Sequence, residues 1–351
     1  MPPSATFDVA LVVPLRGPAG ILGPSAELCA QLAAEEVNRA GGILGRELRL
    51  VPVDGGAPPP AVAAEVAALV DSGAVQGVTG WHISTVRQAI APRVAGRVPY
   101  VYTALYEGGE RTDGVFLTSE TPDVQLFPAM RLLGAERAAR RWYVVGNDYV
   151  WPRRTASAAR RFAHGAGMSV VGEDYVPLST SDFGPVLRRI ERSGADAVLM
   201  LLVGTDAVRF NRAFARSGSA GRLRLSTLMD ENMLLASGAT ATTDLFSTAG
   251  FFASMVTREN LDLHGRYAAR FGVEAPPLGS LGESCYEGVL LLAALVERAG
   301  AADVRAIGAN AESVSYEGPR GLLRLRQRHV RQRIYLAQAR GVEFDVLTQL
   351  P

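Results

Sequence analysis

The chain alternates strand-like and helix-like segments from its start, and this alternation restricts the fold more than any other feature. Residues 7–13 (FDVALVV) form a short apolar run that is typical of a buried strand. Residues 24–40 follow with helical spacing, begin at Pro24 and end at Gly41-Gly42, which is a strong helix-ending signal. Strands separated by helices and short Gly or Pro turns predict a parallel sheet with helices on both faces.

The alternation pauses over residues 106–121 and then resumes, which predicts two α/β lobes of similar size. Further strands are predicted at 47–53, 75–78, 99–103, 142–146, 169–175, 196–202, 224–228 and 247–254. Further helices are predicted at 59–71, 84–95, 122–139, 152–165, 182–193, 205–217, 257–271 and 280–299, with a short segment at 231–236. The tail at 322–339 has two alternating runs around a polar turn, which predicts a β-hairpin.

Charge and composition exclude several classes of protein. The formal net charge is +1, from 36 basic and 35 acidic residues, so no electrostatic footprint for nucleic acid or an anionic membrane is present. Lys is absent from the sequence, which excludes Schiff-base chemistry and a P-loop. Arg, Glu or Gly interrupts every apolar stretch, so we expect no transmembrane helix. Cys29 and Cys285 are too few for a metal site and are expected to be buried free thiols.

The start of the chain bears on localisation. The sequence MPPSATFDVALVV lacks a basic region followed by an apolar run and a cleavage site. With Met1 as the native start we expect a cytoplasmic protein. An exported protein, numbered after removal of its signal, is the alternative.

The segment after the third predicted strand has the first candidate site residues. In open α/β sheets, ligands bind beyond the carboxyl ends of the strands, and two facing lobes place that region in a cleft. The sequence GWHIS contains Trp81, His82 and Ser84 here. Ser84 is expected at the N-cap of the next helix, where its hydroxyl accepts a backbone N–H. Free N–H groups of that helix end suit a carboxylate or carbonyl oxygen of a ligand.

Aromatic residues follow two other predicted strands. Tyr102 and Thr103, beside Ala104, offer apolar walls and hydroxyl donors, and Tyr149 and Trp151 follow the first strand of the second half. Aromatic rings at an inter-lobe cleft provide contact area and a hydrogen-bonding group. Packing at the strand ends, without any ligand, explains the same residues and is the alternative.

Catalytic motifs are missing from the sequence. No G-x-S-x-G, H-E-x-x-H, C-x-x-C or P-loop motif occurs, and the four histidines are scattered. The acidic residues near strand ends are too widely spaced to predict a metal site. We therefore expect no enzyme activity, no cofactor and no metal.

Several longer segments resemble a known family. The run AELCAQLAAEEVNRAGGILGRELRLVPVD and the segments GWHISTVRQAIAP, YTALYEGGE and GNDYVWPRRTA are similar to type I periplasmic-binding proteins. Within that family they resemble the amide and urea branch, which includes amide-sensing regulators and urea-binding components of ABC transporters. The similarity extends from about residue 7 to residue 345. It implies two Rossmann-like lobes joined by a hinge, with residues 1–121 plus 275–325 in lobe 1 and residues 122–274 plus 326–351 in lobe 2.

The resemblance also implies pocket positions. Four residues match them: Ser84, Tyr102, Tyr149 and Trp151. Thr205 and Glu231 lie in second-lobe segments that face the cleft. His82 stands where the family often has Tyr, and Ala104 stands where the amino-acid binders have Thr, so a hydroxyl for an α-amino acid is lost. The complete predicted ligand-binding set is Trp81, His82, Ser84, Tyr102, Thr103, Ala104, Tyr149, Trp151, Thr205 and Glu231.

The function that we expect from the sequence is that of a solute receptor. Its lobes close around a small polar ligand, such as a short amide, urea or a small amino acid. The expected partner is an ABC transporter permease or a cytoplasmic regulatory protein, a homodimer is plausible for this fold, and nucleic acid is not bound directly. Two alternatives are an enzyme that acts on a small amide or sugar with cleft carboxylates, and an interaction module without ligand. An occluded or dry apolar cleft would favour the interaction module over the receptor.

Overall fold

The computed structural model describes residues 5–351, and its strands form two separate sheets. The strands are β1 (Thr6–Val13), β2 (Glu47–Asp54), β3 (Gly77–Gly80), β4 (Tyr100–Tyr102), β5 (Val115–Leu117), β6 (Arg141–Asn147), β7 (Ser169–Val176), β8 (Ala197–Leu201), β9 (Leu223–Ser226), β10 (Leu245–Ala249), β11 (Ser315–Gly318), β12 (Gly321–Arg326), β13 (His329–Arg331), β14 (Tyr335–Arg340) and β15 (Glu343–Gln349). The first sheet has the order β11-β12-β13-β5-β4-β3-β1-β2, and the second has the order β15-β14-β10-β9-β8-β6-β7. Strands β1 to β5 pair in parallel, as do β6 to β10.

Helices cover both sheets. They are α1 (Gly23–Arg39), α2 (Pro59–Asp71), α3 (Ser84–Val94), α4 (Leu126–Glu136), α5 (Val150–Gly165), α6 (Gly184–Arg192), α7 (Thr205–Phe214), α8 (Glu231–Ser237), α9 (Arg258–Phe271), α10 (Ser280–Ala299) and α11 (Val304–Asn310). Short 3-10 turns occur at Pro18–Leu22, Ala239–Ala241 and Ala311–Ser313. Of the helices within residues 5–351, none is both long and apolar enough to cross a membrane. The predicted two-lobed α/β fold is confirmed.

Two strands differ from the sequence prediction. The strand expected at 247–254 ends at Ala249, because the chain leaves the second sheet there and crosses to the other lobe. Phe251 and Phe252 continue the apolar run and are buried, although they lie outside the strand. Strand β5, which is three residues long, lies inside the segment 106–121 where no strand was predicted.

The tail contains two hairpins. Strands β12 and β13 pair through a two-residue turn in which Gln327 and Arg328 both have positive φ, as a type I′ turn requires. After β13 the chain crosses to the second sheet, where β14 and β15 form the C-terminal hairpin. The predicted hairpin at 322–339 is thus divided between the lobes, and the expected lobe boundary after residue 325 falls inside β12.

Helix α9 lies against the first lobe. Arg266 contacts Glu36 of α1, and Arg270 forms an ion pair of 2.8 Å with Glu35 of the same helix. The chain therefore reaches lobe 1 soon after β10, whereas the sequence placed everything up to residue 274 in lobe 2.

Three connections join the lobes, and a buried ion cluster lies beside them. The Arg320 Nε atom is 3.0 Å from Glu287 Oε2 and 3.3 Å from Glu283 Oε1, and the Tyr316 hydroxyl donates to Glu287 Oε2 at 3.1 Å. All four side chains are buried. Burial raises the pKa of Glu283 well above its ordinary value, and Glu287 raises it further, against the effect of Arg320.

One residue from each connection approaches this cluster. The N–H of Gly250, directly after β10, donates to Glu120 Oε1 at 2.6 Å, and Glu120 lies in the connection that follows β5. A Cβ atom at Gly250 would lie 2.9 Å from Arg320 Nη1 and 2.7 Å from Oε1 of Gln332, which follows β13. The three connections, which form the hinge, therefore meet at the guanidinium group of Arg320.

Helix α10 packs very closely on the first sheet. A Cβ atom at Gly288 would lie 2.4 Å from Thr103 Cγ2 and 2.7 Å from Thr79 Oγ1. Cys29 and Cys285 lie in the helices of this same layer and are buried and free, as predicted. The absence of a side chain at Gly288 sets the distance between helix and sheet.

We expect Gly288→Ala to destabilise the protein by about 1–3 kcal/mol, because the added methyl group overpacks a close contact. Gly308→Ala in α11 is the matched control, since no atom lies within 4 Å of its Cβ position. The control should stabilise by about 0.5–1 kcal/mol through helix propensity. Urea unfolding of both variants measures the difference, and equal stabilities would contradict the close-packing argument.

Candidate functional site

Strand-end segments from both lobes enclose a small cavity. Its walls come from the loops after β3, β4, β6, β8 and β9. These loops lie at the carboxyl ends of the strands, where open α/β sheets bind ligands. The free volume is about 20 Å³, which accommodates roughly one water molecule. The lining residues are Trp81, His82, Ile83, Ser84, Tyr102, Ala104, Leu105, Tyr149, Trp151, Val203 and Leu228.

The small volume reflects the closeness of the lobes. The turn Pro18–Leu22 of the first lobe contacts α7 and α8 of the second, and α3 contacts α5. At Gly204, which has φ +52°, a Cβ atom would lie 1.9 Å from the Pro18 carbonyl oxygen. The structure is therefore a closed form in which the backbone at Gly204 of the second lobe contacts the backbone at Pro18 of the first.

Seven of the ten predicted site residues line this cavity: Trp81, His82, Ser84, Tyr102, Ala104, Tyr149 and Trp151. Sequence reasoning missed the apolar members of the lining, because an apolar residue in a loop carries no chemical signal. Those members are Ile83, Leu105, Val203 and Leu228.

The other three predicted residues lie outside the cavity lining. The Thr103 hydroxyl is 3.5 Å from the Cys285 sulfur inside lobe 1. Thr205 is the first residue of α7, the helix that meets the Pro18–Leu22 turn. Glu231 lines a separate cavity. A ligand-binding role for any of the ten residues stays a prediction.

His82 and its tyrosine neighbours form a rigid wall. The His82 Nδ1 atom lies 3.1 Å from the Val12 carbonyl oxygen, and Nε2 lies 2.5 Å from the Tyr100 hydroxyl. Burial lowers the pKa of His82 to about 3, so the ring is neutral. Nδ1–H then donates to Val12 and Nε2 accepts from Tyr100. The Tyr102 hydroxyl donates to the His82 carbonyl at 2.7 Å, so Tyr102 presents its ring and not the free hydroxyl that the sequence predicted.

Ser84 does not act as the predicted N-cap. Helix α3 begins at Ser84, and its N-cap position is Ile83, which makes no side-chain cap. The Ser84 hydroxyl donates instead to Glu107 Oε2 at 2.6 Å. A carboxylate is a stronger acceptor for a hydroxyl than a neutral group, so this contact replaces the expected local one.

Glu107 is the centre of a buried charged network. Arg87 Nη2 donates to Glu107 Oε1 at 2.7 Å, and Arg87 Nε donates to Glu110 Oε2 at 3.0 Å. The side chains of Arg87 and Glu107 are 2% and 0% exposed. The guanidinium carbon lies 5.1 Å from the ring centre of Tyr102 and 4.8 Å from that of Tyr106. The Y-E-G segment at 106–108, which carries part of the family resemblance, contains Glu107. Neither Glu107 nor Arg87 is among the predicted site residues.

Glu231 is an acidic group held away from water. Its Oε1 accepts the N–H of Ala253 at 2.7 Å, while Oε2 has no hydrogen-bond partner among the described residues. Burial raises the pKa of Glu231 to about 8, and the neighbouring Asp230 contributes. Asp230 caps α8 by accepting the N–H of Met233 at 3.2 Å, and burial raises its pKa to about 6. The cavity beside Glu231 has a volume of about 420 Å³ and is lined by Glu231, Leu235, Ala253, Ser254, Pro277, Val342, Glu343 and Phe344.

Comparison with known families gives one match over nearly the whole chain. Residues 6–343 match a family described as periplasmic binding protein. Leu/Ile/Val-binding protein homolog 7 of Brucella abortus is 25% identical over 227 residues, which are 60% of this chain and 55% of that protein. An L-lactate dehydrogenase of Xanthomonas axonopodis is 41% identical over 75 residues, only 20% of this chain and 19% of the enzyme. The match thus spans about half the length of the first relative and a fifth of the second.

Solved structures share the fold. A solute-binding protein of an ABC transporter from R. palustris, in complex with benzoate, has a TM-score of 0.87 at 20% identity and covers 99% of this chain and 97% of its own. The branched-chain amino acid substrate-binding protein of Streptococcus pneumoniae, in complex with isoleucine, has a TM-score of 0.84 at 19% identity, with coverages of 98% and 99%. At such identities the likeness concerns the fold. The amide and urea branch, to which the sequence is similar, stays a prediction.

We expect Glu231→Gln to change how stability depends on pH. The folded state holds a proton on Glu231 up to about pH 8, and the unfolded state releases it near the ordinary value of 4.5, so the free energy of unfolding falls as pH rises between these values. The wild type should lose a few kcal/mol relative to the E231Q variant between pH 5 and pH 9, at about 1.4 kcal/mol per pH unit. Urea unfolding at both pH values measures this loss.

The exposed Glu343, on the same cavity, provides the control. Glu343→Gln should leave the pH dependence of the wild type unchanged, because that carboxylate is exposed to water in the folded protein. Parallel pH profiles for the wild type and the E231Q variant would show that the folded protein holds no proton on Glu231.

Proposed function

The chain belongs to the periplasmic binding protein family, and from this premise we propose that it is a receptor whose two lobes close around a small polar solute. The observation that carries the proposal is the cavity between the lobes, whose wall takes Trp81, Ser84 and Tyr102 from one lobe and Tyr149 and Trp151 from the other. A ligand held by both walls binds the closed form better than the open form and shifts the equilibrium towards closure.

The ligand that we propose is a short amide, urea or a small amino acid. The resemblance of the Y-E-G and G-N-D-Y-V-W-P-R segments to the amide and urea branch supports the first two. The structural neighbours carry an aromatic acid and an amino acid, so the fold itself accommodates several classes of solute.

The partner that we propose is the permease of an ABC transporter. Two structural neighbours are named as binding proteins of such transporters, one of them from R. palustris, which supports transport over the cytoplasmic regulatory role. Catalysis by cleft carboxylates, the enzyme alternative, has no support from the cavity wall, since no Asp or Glu of the described residues lines it.

One observation favours a second candidate, an interaction module without ligand. The cavity is occluded and most of its lining is apolar, with room for about one water molecule. Such a protein would remain closed in all conditions, and its lobes would serve as a fixed surface. The two candidates differ in whether any solute stabilises the fold.

A thermal-shift screen with acetamide, propionamide, urea, glycine and alanine tests the proposal. A solute at about 100 times its dissociation constant stabilises the folded state by about 2.7 kcal/mol, so the bound solute should raise the Tm by several degrees. A Tm that stays constant with every one of these compounds would favour the interaction module over the receptor.

We expect Gly204→Ala to prevent the closure seen here, because the new methyl group would meet the Pro18 carbonyl oxygen of the other lobe. Affinity for the solute found in the screen should fall more than tenfold, and the radius of gyration from small-angle scattering should increase. Gly167→Ala is the control, since Gly167 also has a positive φ, +68°, but no atom lies within 4 Å of its Cβ position.

The control separates backbone strain from closure. Both variants carry the cost of an alanine at positive φ, whereas only Gly204 lies against the other lobe. If the two variants bind solute equally well, closure at Gly204 has no part in binding.

A further inference from the structure

We infer that Glu107 is a specificity-determining residue that occupies the Ser84 hydroxyl at the start of α3, so that the cleft selects uncharged carbonyl compounds and rejects carboxylates. The inference rests on the proposed function, because it names the class of solute that the same cleft binds. It assigns a role to a residue outside the predicted site.

The start of α3 has the donors of an anion site. Ser84 lies at the first turn of an eleven-residue helix and lines the cavity, and Arg87 follows one turn later. A hydroxyl, a guanidinium and a helix N-terminus together form the kind of group that binds a carboxylate in proteins.

The protein itself supplies the anion for these donors. Glu107 accepts from Ser84 at 2.6 Å, from Arg87 at 2.7 Å and from Gln88 Nε2 at 3.3 Å. Arg87 also donates to Ser84 Oγ at 3.3 Å. A solute carboxylate in the cavity would therefore find the Ser84 hydroxyl already engaged, and the Arg87 guanidinium, which does not line the cavity, is already paired.

The charges around the cavity oppose a second carboxylate. Arg87 is one positive charge between the two carboxylates of Glu107 and Glu110, so the network has an excess of negative charge. No Arg lines the cavity within the part of the chain that the structure describes, and His82 is neutral. Burial raises the pKa of Tyr149 well above its ordinary value, and Tyr102 and Glu107 raise it further, so its hydroxyl stays protonated.

Two donors remain for an uncharged oxygen atom. The indole N–H of Trp81 has no hydrogen-bond partner in residues 5–351, although the side chain is only 1% exposed and lines the cavity. The Tyr149 hydroxyl likewise makes no hydrogen bond to the described residues. Neutral N–H and O–H donors match a carbonyl oxygen, whose charge is partial and needs no counter-ion. The solute class that fits is a small amide or urea.

Matched pairs of an amide and its carboxylate test the inference on the wild-type protein. Acetamide against acetate, propionamide against propionate and benzamide against benzoate have nearly the same shape and differ in charge. We expect the wild type to bind at least one amide more than 100-fold more tightly than its carboxylate, as measured by calorimetry at pH 7.5.

The Glu107→Gln variant tests the residue itself. It keeps an acceptor near Ser84 and Arg87 but removes the charge, so the preference for amide over carboxylate should fall at least tenfold. Glu110→Gln is the control, because Glu110 pairs with Arg87 but does not contact Ser84, and it should reduce the preference less.

The outcomes separate the inference from the proposed function. Binding of a carboxylate within tenfold of its amide by the wild type would overturn the inference and leave the receptor function standing. The same holds if the E107Q variant keeps the full preference. A wild type that binds urea and none of the six compounds supports an uncharged solute. If neither the six compounds nor urea binds, the inference fails, and the receptor function then depends on whether glycine or alanine raises the Tm in the thermal-shift screen. The wild-type comparison decides these cases even when the E107Q variant does not fold.

Discussion

The guanidinium of Arg320 holds the hinge together, and the relative position of the lobes depends on it. It is buried beside Glu283 and Glu287, and one residue from each of the three connections lies against the cluster. Removing one partner of a buried ion pair commonly costs about 3–5 kcal/mol, since the remaining charge is left without compensation. The connections therefore meet at a point that does not deform easily. On the proposed receptor function, the lobes would move as bodies around this point.

The two walls of the cleft differ in rigidity. On lobe 1, hydrogen bonds from Tyr100 and Tyr102 fix His82, and that ring in turn binds the backbone of β1. All of these contacts lie within lobe 1, so none of them depends on contact with the other lobe. On lobe 2, Tyr149 and Trp151 stand at the start of α5 and contact each other through rings 6.1 Å apart. On the proposed function, closure would bring this aromatic pair against a wall held by contacts within lobe 1, which would limit the side-chain ordering that binding requires.

The sequence predicted the fold and most of the cavity wall because both follow from local patterns. Apolar periodicity identifies strands and helices, and the loops after parallel strands share one edge of a sheet. The direction of a side chain is decided by its partners and not by its position in the chain. Ser84 turns to Glu107, which lies 23 residues away, and Glu231 turns to the N–H of Ala253 and away from the cleft.

The position of Glu107 bears on how the ligand class of such a cleft could change during evolution. The Ser84 hydroxyl and Arg87 Nη2, donors of the kind that suit an anionic group, both donate to this one side chain of the same protein. On our inference about Glu107, one residue decides whether this scaffold receives neutral or acidic solutes. A mutation of that loop residue would then change the class of solute, while helix, sheet and hinge stay as they are. Diversity of cargo within such a family thus requires little change of architecture.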